Sequence, residues 1–229
     1  MAKQEPKVIT EDTGKIFEKA LCNALSIPYV GKYKYDEPPT DFVSRLSGIN
    51  ELYPNLTHTA EKGARYDFTS SADPAIHLSL KSTKKGGGKV APQVVGQCQP
   101  EKFCHVMDIP YVSQEELKRH IQQNIAAILP VLVSHTFDSP ILYFNQEKNS
   151  VRHIILASQI DWLSFQYKWT RDCSSWTNST TLKIVSVEKD KGLALLEIQF
   201  HTTRTNMAIR WCFENFLKIF KDNLTIVDL

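Results

Sequence analysis

Residues 75–81 constrain the fold most strongly, because apolar and polar side chains alternate along most of their length. Such alternation is typical of a strand that has one buried face. The polar face of this strand would carry His77, Ser79 and Lys81. A second strand is predicted over residues 65–69, and the turn-forming residues between the two segments place them at hairpin distance. The chain is therefore predicted to contain a pair of neighbouring strands.

Helical patterns precede and follow this strand pair. Apolar residues recur at helical spacing over about residues 13–26, behind acidic residues that favour a helix start. A second, shorter helix is predicted to begin at Thr40 and to end before Pro54. A capping box at Ser113 predicts the start of a long helix, which we expect Pro130 to interrupt.

The remaining patterns complete the predicted fold class. The other predicted elements are a helix from Pro92 towards Cys104, strands at residues 141–144, 152–157, 181–187 and 193–201, and a closing amphipathic helix over residues 208–221. Helices around strands rich in β-branched residues indicate an α/β or α+β domain, with a mixed central β-sheet flanked by helices.

Composition excludes several classes of protein. The formal net charge of +2 neither indicates nor excludes a polyanionic partner. The five cysteines contain no Cys-x-x-Cys pair, which disfavours a disulfide framework or a zinc site. No apolar run reaches the ~18 residues of a membrane span, and the first residues lack the apolar stretch of a secretory signal. We therefore expect a cytoplasmic protein that does not associate with membranes.

The chemistry is predicted to lie on the two paired strands. Asp67 on one strand and Ser79-x-Lys81 on the other can converge, because alternate residues face the same way. Such a site suits phosphodiester hydrolysis, in which Asp67 would hold Mg²⁺ and Lys81 would stabilise charge on the phosphate or orient the water. A flexible basic loop follows, and the neighbouring phosphates would be contacted by Lys84, Lys85 and Lys89.

This arrangement resembles the PD-(D/E)xK nuclease signature, and specifically that of type II restriction endonucleases. Residues 14–19 are similar to the first helix of that family, which often places a glutamate, here Glu18, beside the metal. Residues 89–97 resemble the helix start that follows the catalytic lysine. Residues 196–211 resemble a strand–turn–helix common in the group.

The sequence departs from the family signature in two places. Tyr66 stands where the family has proline, and Ser79 stands where it has the second acid. The loss of that acid removes a metal ligand, so Glu18 is the better candidate to complete the site. A carbonyl oxygen from Gln93 or Gln97 is the second possibility, and the number of metal ions stays open.

The resemblance implies a function and a set of DNA contacts. The expected protein is a Mg²⁺-dependent enzyme that cleaves double-stranded DNA at a short specific sequence and leaves 5′-phosphates. Base recognition would fall to four residues near the C-terminus, because arginine favours guanine and asparagine favours adenine in the major groove. These residues are His201, Arg204, Asn206 and Arg210. His77, on the strand face of Lys81, would support the site.

The resemblance also implies an assembly and a cellular setting. We expect one nuclease domain over residues 1–229, with a catalytic core over about 10–135 and a DNA-recognition part over about 136–229. A homodimer would match a palindromic site, and a DNA methyltransferase would be the functional partner in a prokaryotic cytoplasm. Two alternatives stay open: a repair or junction-cleaving nuclease of the same fold, and a DNA-binding module that has lost cleavage.

Overall fold

The chain divides into two units, and each unit has its own β-sheet. A computed structural model describes residues 10–61, 64–186, 189–201 and 205–229. The first unit is drawn from residues 1–86, 139–155 and 226–229, and the second unit from residues 87–138 and 156–225. The assignment of the whole chain to one nuclease domain stays a prediction.

The described residues form both helices and strands. The α-helices are α1 Thr10–Ala24, α2 Thr40–Ser44, α3 Ile49–Leu52, α4 Pro100–Val106, α5 Gln114–Gln123, α6 Ile125–Ser134 and α7 Phe213–Ile219. The strands are β1 Leu56–His58, β2 Phe68–Ser70, β3 His77–Thr83, β4 Lys89–Val90, β5 Gln97–Cys98, β6 Ile141–Asn145, β7 Ser150–Leu156, β8 Gln166–Trp169, β9 Ser179–Ser186, β10 Lys189–Phe200, β11 Met207–Cys212 and β12 Leu224–Asp228. No described helix is long and apolar enough to cross a bilayer.

The sheet of the first unit is mixed and has the order β1-β2-β3-β6-β7-β12. Strands β3 and β6 are parallel, whereas β1–β2, β2–β3 and β6–β7 are antiparallel. Helix α1 packs against β3 and buries Phe17, Ala20 and Leu21 completely, at the spacing of one helix face. Phe17 also contacts the rings of Phe42 and Phe144 in this core. The predicted α+β class with a mixed sheet and packed helices is confirmed.

The second unit contains an antiparallel sheet in which β4, β11, β10, β9 and β8 are neighbours and β5 also pairs with β11. Trp211 on β11 is fully buried, and its Nε1–H donates to Thr136 Oγ1 at 2.7 Å. The ring of Trp211 lies 4.9 Å from that of Phe216 on α7. These contacts fix β11 against the helices of the same unit.

The predicted closing helix over residues 208–221 is wrong in its first half. Residues 207–212 form β11, which pairs with β10 through Phe200 and Met207, and the helix begins only at Phe213. Met207, Ala208, Ile209 and Trp211 are all buried, because this strand lies inside the sheet. The expected strand–turn–helix therefore has a second strand, β11, where the helix was predicted to begin.

The predicted helix from Pro92 begins only at Pro100, the first residue of α4. Between Pro92 and Pro100 the backbone makes a tight bend that a helix cannot contain. Val94 has a φ of 63°, and a Cβ on Gly96 would lie 2.2 Å from the carbonyl oxygen of Pro92. Lys89 also differs from its prediction, because it belongs to β4 instead of a flexible loop.

The helix predicted from Ser113 is confirmed at its start, where Ser113 Oγ accepts from the Glu116 N–H at 3.2 Å. Its break lies at Asn124, which ends α5 and caps α6, whereas Pro130 lies inside α6. Likewise, the helix predicted from Thr40 is two short helices, α2 and α3. The other predicted strands are present as β6, β7, β9 and β10, with small shifts of their ends.

Candidate active site

Asp67 lies immediately before β2 and is held by both neighbouring strands. Its carbonyl oxygen accepts from the N–H of Thr59 at 2.8 Å. Its Oδ2 accepts from the N–H of Leu80, on β3, at 2.6 Å. The antiparallel pairing of β2 with β3 sets Phe68 opposite Leu78, which brings the Asp67 side chain alongside β3. The position of this carboxyl is therefore fixed by backbone contacts on two sides.

Asp67 and Lys81 act on each other electrostatically. Burial raises the pKa of Asp67, and the charge of Lys81 and the N–H of Leu80 partly oppose that rise. Lys81 is half-buried on β3, on the strand face that the sequence predicted. The structure thus brings together the two residues at the centre of the predicted site.

Glu18 on α1 supplies the second carboxylate of this group. Its negative charge raises the pKa of Asp67 further, as expected for two acids that share one site. Its Oε2 lies 3.5 Å from the hydroxyl of Tyr29 and 3.4 Å from Nε2 of His58. Burial and the charge of Glu18 raise the pKa of Tyr29, so the phenol keeps its proton and can donate. The predicted trio of Asp67, Lys81 and Glu18 therefore lies within one unit.

The donor set of this group fits a hard divalent cation. No group of three or more His, Cys, Asp and Glu side chains suited to a metal ion occurs in the part of the chain that the structure describes. Mg²⁺, however, is commonly bound by one or two carboxylates, with water and phosphate oxygens completing its shell. The charge of Glu18 disfavours the ionised form of Asp67, and a bound cation would relieve that cost. We call Asp67, Glu18 and Lys81 the acidic–lysine cluster.

Ser79 is placed differently from these residues. It is fully buried, its Oγ accepts from Ser139 Oγ at 3.0 Å, and its N–H donates to the Pro140 carbonyl at 3.0 Å. These contacts tie β3 to the segment that enters β6. They favour a structural role for Ser79 over the predicted contact with the reacting groups.

His77 packs against the residue that precedes Asp67. Its ring stacks on Tyr66 with centroids 3.8 Å apart, and its Nδ1 lies 3.1 Å from Thr69 Oγ1. The guanidinium of Arg65 lies 5.4 Å from the centroid of Tyr66. His77 thus braces β2 against β3 beside the acidic–lysine cluster, which agrees with a supporting role.

The predicted phosphate-binding lysines fall in both units. Lys84 and Lys85 follow β3 in the first unit, where Lys84 is half-buried and Lys85 is exposed. The N–H of Gly86, the next residue, donates to Glu147 Oε2 at 2.8 Å and shapes this turn. Lys89 lies in the second unit, and its ammonium pairs with Glu197 on β10.

The other predicted contacts lie in the second unit. Gln93 is half-buried, and Gln97 is exposed on β5. Arg210 pairs with Glu197 at 3.6 Å, so Glu197 holds this cation as well as that of Lys89.

Two of the predicted base-reading residues, His201 and Asn206, lie between β10 and β11, whereas Arg210 lies on β11 itself. The N–H of His201 donates to the carbonyl of Asn206 at 3.3 Å, which joins the residue after β10 to the residue before β11. Arg204, also predicted to read bases, lies outside the described residues. The structure therefore places His201 and Asn206 beside each other, at one end of the β10–β11 pair.

Two residues of the site were not predicted from the sequence. His58 and Tyr29 both approach Glu18, although neither belongs to a motif with it. His58 is the last residue of the short strand β1, and Tyr29 lies in the loop after α1. The only available signal was the presence of polar aromatic residues near predicted core segments, which is too common to identify a site.

The comparisons with known proteins show what this chain is similar to. No protein-family model matches it, and no solved structure matches it. The chain is similar to a type II restriction enzyme. That relative is CviAII of Paramecium bursaria Chlorella virus 1, and the two are 37% identical over 226 residues. The match covers 97% of this chain and 64% of the relative, so the chain spans slightly less than two thirds of that enzyme. The predicted resemblance to type II restriction enzymes is confirmed, and the PD-(D/E)xK assignment stays a prediction.

Proposed function

We propose that this protein is a Mg²⁺-dependent type II restriction endonuclease. It would hydrolyse phosphodiester bonds of double-stranded DNA at a short specific sequence and leave 5′-phosphates. The observation that carries this proposal is the meeting of Asp67, Glu18 and Lys81 at one end of paired strands. The similarity to a type II restriction enzyme over almost the whole chain supports the same reaction class. The PD-(D/E)xK signature would be represented by Asp67 and Lys81.

Each residue of the acidic–lysine cluster would have a separate role in hydrolysis. Asp67 and Glu18 would hold the Mg²⁺ ion, which when bound neutralises phosphate charge and lowers the pKa of water. The ammonium of Lys81 would lie against the scissile phosphate and stabilise the negative charge that grows during attack. The Leu80 N–H, bonded to Asp67 Oδ2, would keep that carboxylate in place throughout the reaction.

Each unit would contribute its own contacts to DNA. Lys84 and Lys85 would bind backbone phosphates next to the cleaved bond, because both follow β3 directly. Lys89, in the second unit, would bind a backbone phosphate and would then give up its ion pair with Glu197. Bases would be read by His201, Arg204, Asn206 and Arg210.

The assembly would follow from the symmetry of the target. A homodimer places two active sites on the two strands of a palindromic sequence. A DNA methyltransferase that modifies the same sequence would protect the host genome without forming a stable complex. The setting would be a prokaryotic cytoplasm.

Cleavage of phage or plasmid DNA with Mg²⁺, and again with EDTA, tests this function. Discrete and reproducible fragments that require Mg²⁺ are expected. Cleavage confined to branched DNA would favour a repair or junction-cleaving nuclease. Tight binding to duplex DNA without cleavage in Mg²⁺ or Mn²⁺ would favour a DNA-binding module instead.

Replacement of Glu18 by glutamine tests the proposed second ligand. Glu18→Gln removes one anionic oxygen donor and leaves the size of the side chain almost unchanged. We expect a fall in cleavage rate of about a hundredfold at fixed Mg²⁺, since a metal ligand contributes several kcal/mol to the stabilised transition state. The rate should partly recover as the Mg²⁺ concentration rises.

Glu51→Gln is the matched control for this variant. Glu51 is exposed on α3 in the same unit, so the change in net charge is identical. Its cleavage rate and Mg²⁺ requirement should match those of the unsubstituted protein. An unchanged Mg²⁺ requirement in Glu18→Gln would remove Glu18 from the proposed ligand set.

A further inference from the structure

His58 is a buried imidazole whose surroundings fix its hydrogen-bonding state. It ends β1, opposite Phe68 of β2, and its side chain is completely buried. Its ring stacks on that of Tyr29 with centroids 4.6 Å apart and lies 5.0 Å from that of Phe68. The ring is thereby clamped between two aromatic neighbours.

The backbone of Val30 determines which ring nitrogen of His58 carries the proton. The Val30 N–H donates to His58 Nδ1 at 2.8 Å. A backbone N–H can only donate, so Nδ1 must offer its lone pair and cannot carry a proton. The ring proton therefore resides on Nε2 for as long as this hydrogen bond persists.

This state prevents His58 from binding a metal directly. Nδ1 uses its lone pair for Val30, and Nε2 has none to offer because it is protonated. Nε2 is buried, and Oε2 of Glu18 lies 3.4 Å from it. That distance exceeds an ordinary N–H···O bond, yet catalytic hydrogen bonds are commonly long before substrate is bound.

Two donors therefore face the same oxygen of Glu18. The hydroxyl of Tyr29 approaches Oε2 at 3.5 Å, from the residue that stacks on His58. Donors that gather on one oxygen fix the rotation of a carboxylate and distinguish its two oxygens. Loss of a group that holds a ligand in this way typically costs about tenfold to a hundredfold in metal affinity or activity.

We infer that His58 is a positioning residue whose Nε2–H, with the hydroxyl of Tyr29, holds Oε2 of Glu18 and leaves Oε1 to bind the cation. The inference rests on the proposed function, because it assigns the orientation of a ligand in the proposed Mg²⁺ site. His58 acts through Glu18 and does not touch the DNA or the water.

Two substitutions of His58 separate this role from simple packing. His58→Asn keeps a carbonyl acceptor near the position of Nδ1 for the Val30 N–H but removes the donor that faces Glu18. His58→Gln reaches further and can place an amide N–H near the position of Nε2. Both variants lose the stack on Tyr29, so they are matched in the packing that they give up.

The measurement is Mn²⁺ affinity without DNA, followed by the electron paramagnetic resonance signal of the free ion. We expect His58→Asn to bind Mn²⁺ about tenfold more weakly and His58→Gln to stay within about threefold of the unsubstituted protein. In a Glu18→Gln background, His58→Asn should change the affinity by less than about twofold, because the two residues act as one unit.

Equal losses in the two His58 variants, or the same loss with and without Glu18, would overturn the inference and indicate packing alone. Tyr29→Phe offers a milder test, since it removes one hydroxyl and keeps the stack. Its Mn²⁺ affinity should fall about threefold, since the hydroxyl approaches Oε2 only at the long distance of 3.5 Å. Unchanged affinity in Tyr29→Phe, together with a His58→Asn chain that does not fold, would also overturn it.

The cleavage assay distinguishes failure of this inference from failure of the proposed function. If the unsubstituted protein cuts DNA and binds Mn²⁺ while His58→Asn binds it equally well, only the role of His58 is refuted. If the unsubstituted protein neither cuts DNA nor binds Mn²⁺, the proposed function falls, and the inference falls with it.

Discussion

Asp67→Asn should abolish DNA cleavage while leaving the metal-free fold at least as stable as before. The substitution removes a charged metal ligand and keeps an oxygen that can accept from the Leu80 N–H. We expect a loss of roughly a thousandfold or more in cleavage rate, because metal-assisted charge stabilisation is worth several kcal/mol. Duplex DNA binding in Ca²⁺ should persist, which a gel-shift measurement would show.

The stability part of this prediction follows from the pKa of Asp67. Burial raises that pKa, so the ionised carboxylate destabilises the fold above the ordinary pKa of an aspartate. Asparagine carries no charge, and its variant should therefore melt at a higher temperature than the unsubstituted protein in EDTA at pH about 8. The difference should shrink as the pH falls towards the ordinary range of an aspartate.

Asp73→Asn is the control for Asp67→Asn. Asp73 lies exposed in the turn between β2 and β3, where its Oδ1 accepts from the Ala75 N–H at 2.9 Å, a bond that asparagine can keep. Neither cleavage nor the melting temperature in EDTA should change by a measurable amount. Cleavage by Asp67→Asn at the rate of the unsubstituted protein would refute the proposed site.

The centre of the site was predictable because local rules determine it. The alternation around Ser79 and Lys81 specified a strand, and the turn before it specified an antiparallel neighbour, β2, which Asp67 immediately precedes. The buried face of α1 was equally predictable, since Phe17 and Leu21 recur at helical spacing and are buried. These features depend on residues that are close in sequence.

The rest of the site depends on contacts between distant parts of the chain. His58 meets Glu18 only because β1 pairs with β2 and α1 packs on β3, and neither arrangement leaves a spacing that can be read in the sequence. Ser79 shows the same limit, because alternation gave its face but could not reveal that Ser139 would bind its hydroxyl. Strand pairing therefore decided what each polar side chain would meet.

The misread C-terminal segment has a related cause. Its apolar residues satisfy both a helical and a strand period, so the local pattern could not choose between them. The segment forms a strand because β11 pairs with neighbouring strands on both sides in the sheet and buries Trp211 there. As a result, Arg210 lies on a strand and pairs with Glu197, and any base contact by Arg210 must compete with that ion pair.

Lys81→Gln should reduce DNA cleavage far more than it reduces DNA binding. Loss of the ammonium removes the cation proposed to stabilise the reacting phosphate, and one such donor is commonly worth about a hundredfold to a thousandfold in rate.

The matched control is Lys85→Gln, which removes the same charge from an exposed position just after β3. That control should keep a cleavage rate within about threefold and lower the salt dependence of binding by roughly one unit of slope, as expected of a phosphate contact. Single-turnover cleavage and gel-shift measurements over a range of salt concentrations distinguish the two effects. Equal losses in both variants would mean that Lys81 serves only as part of the basic surface, and the acidic–lysine cluster would then lose its catalytic cation.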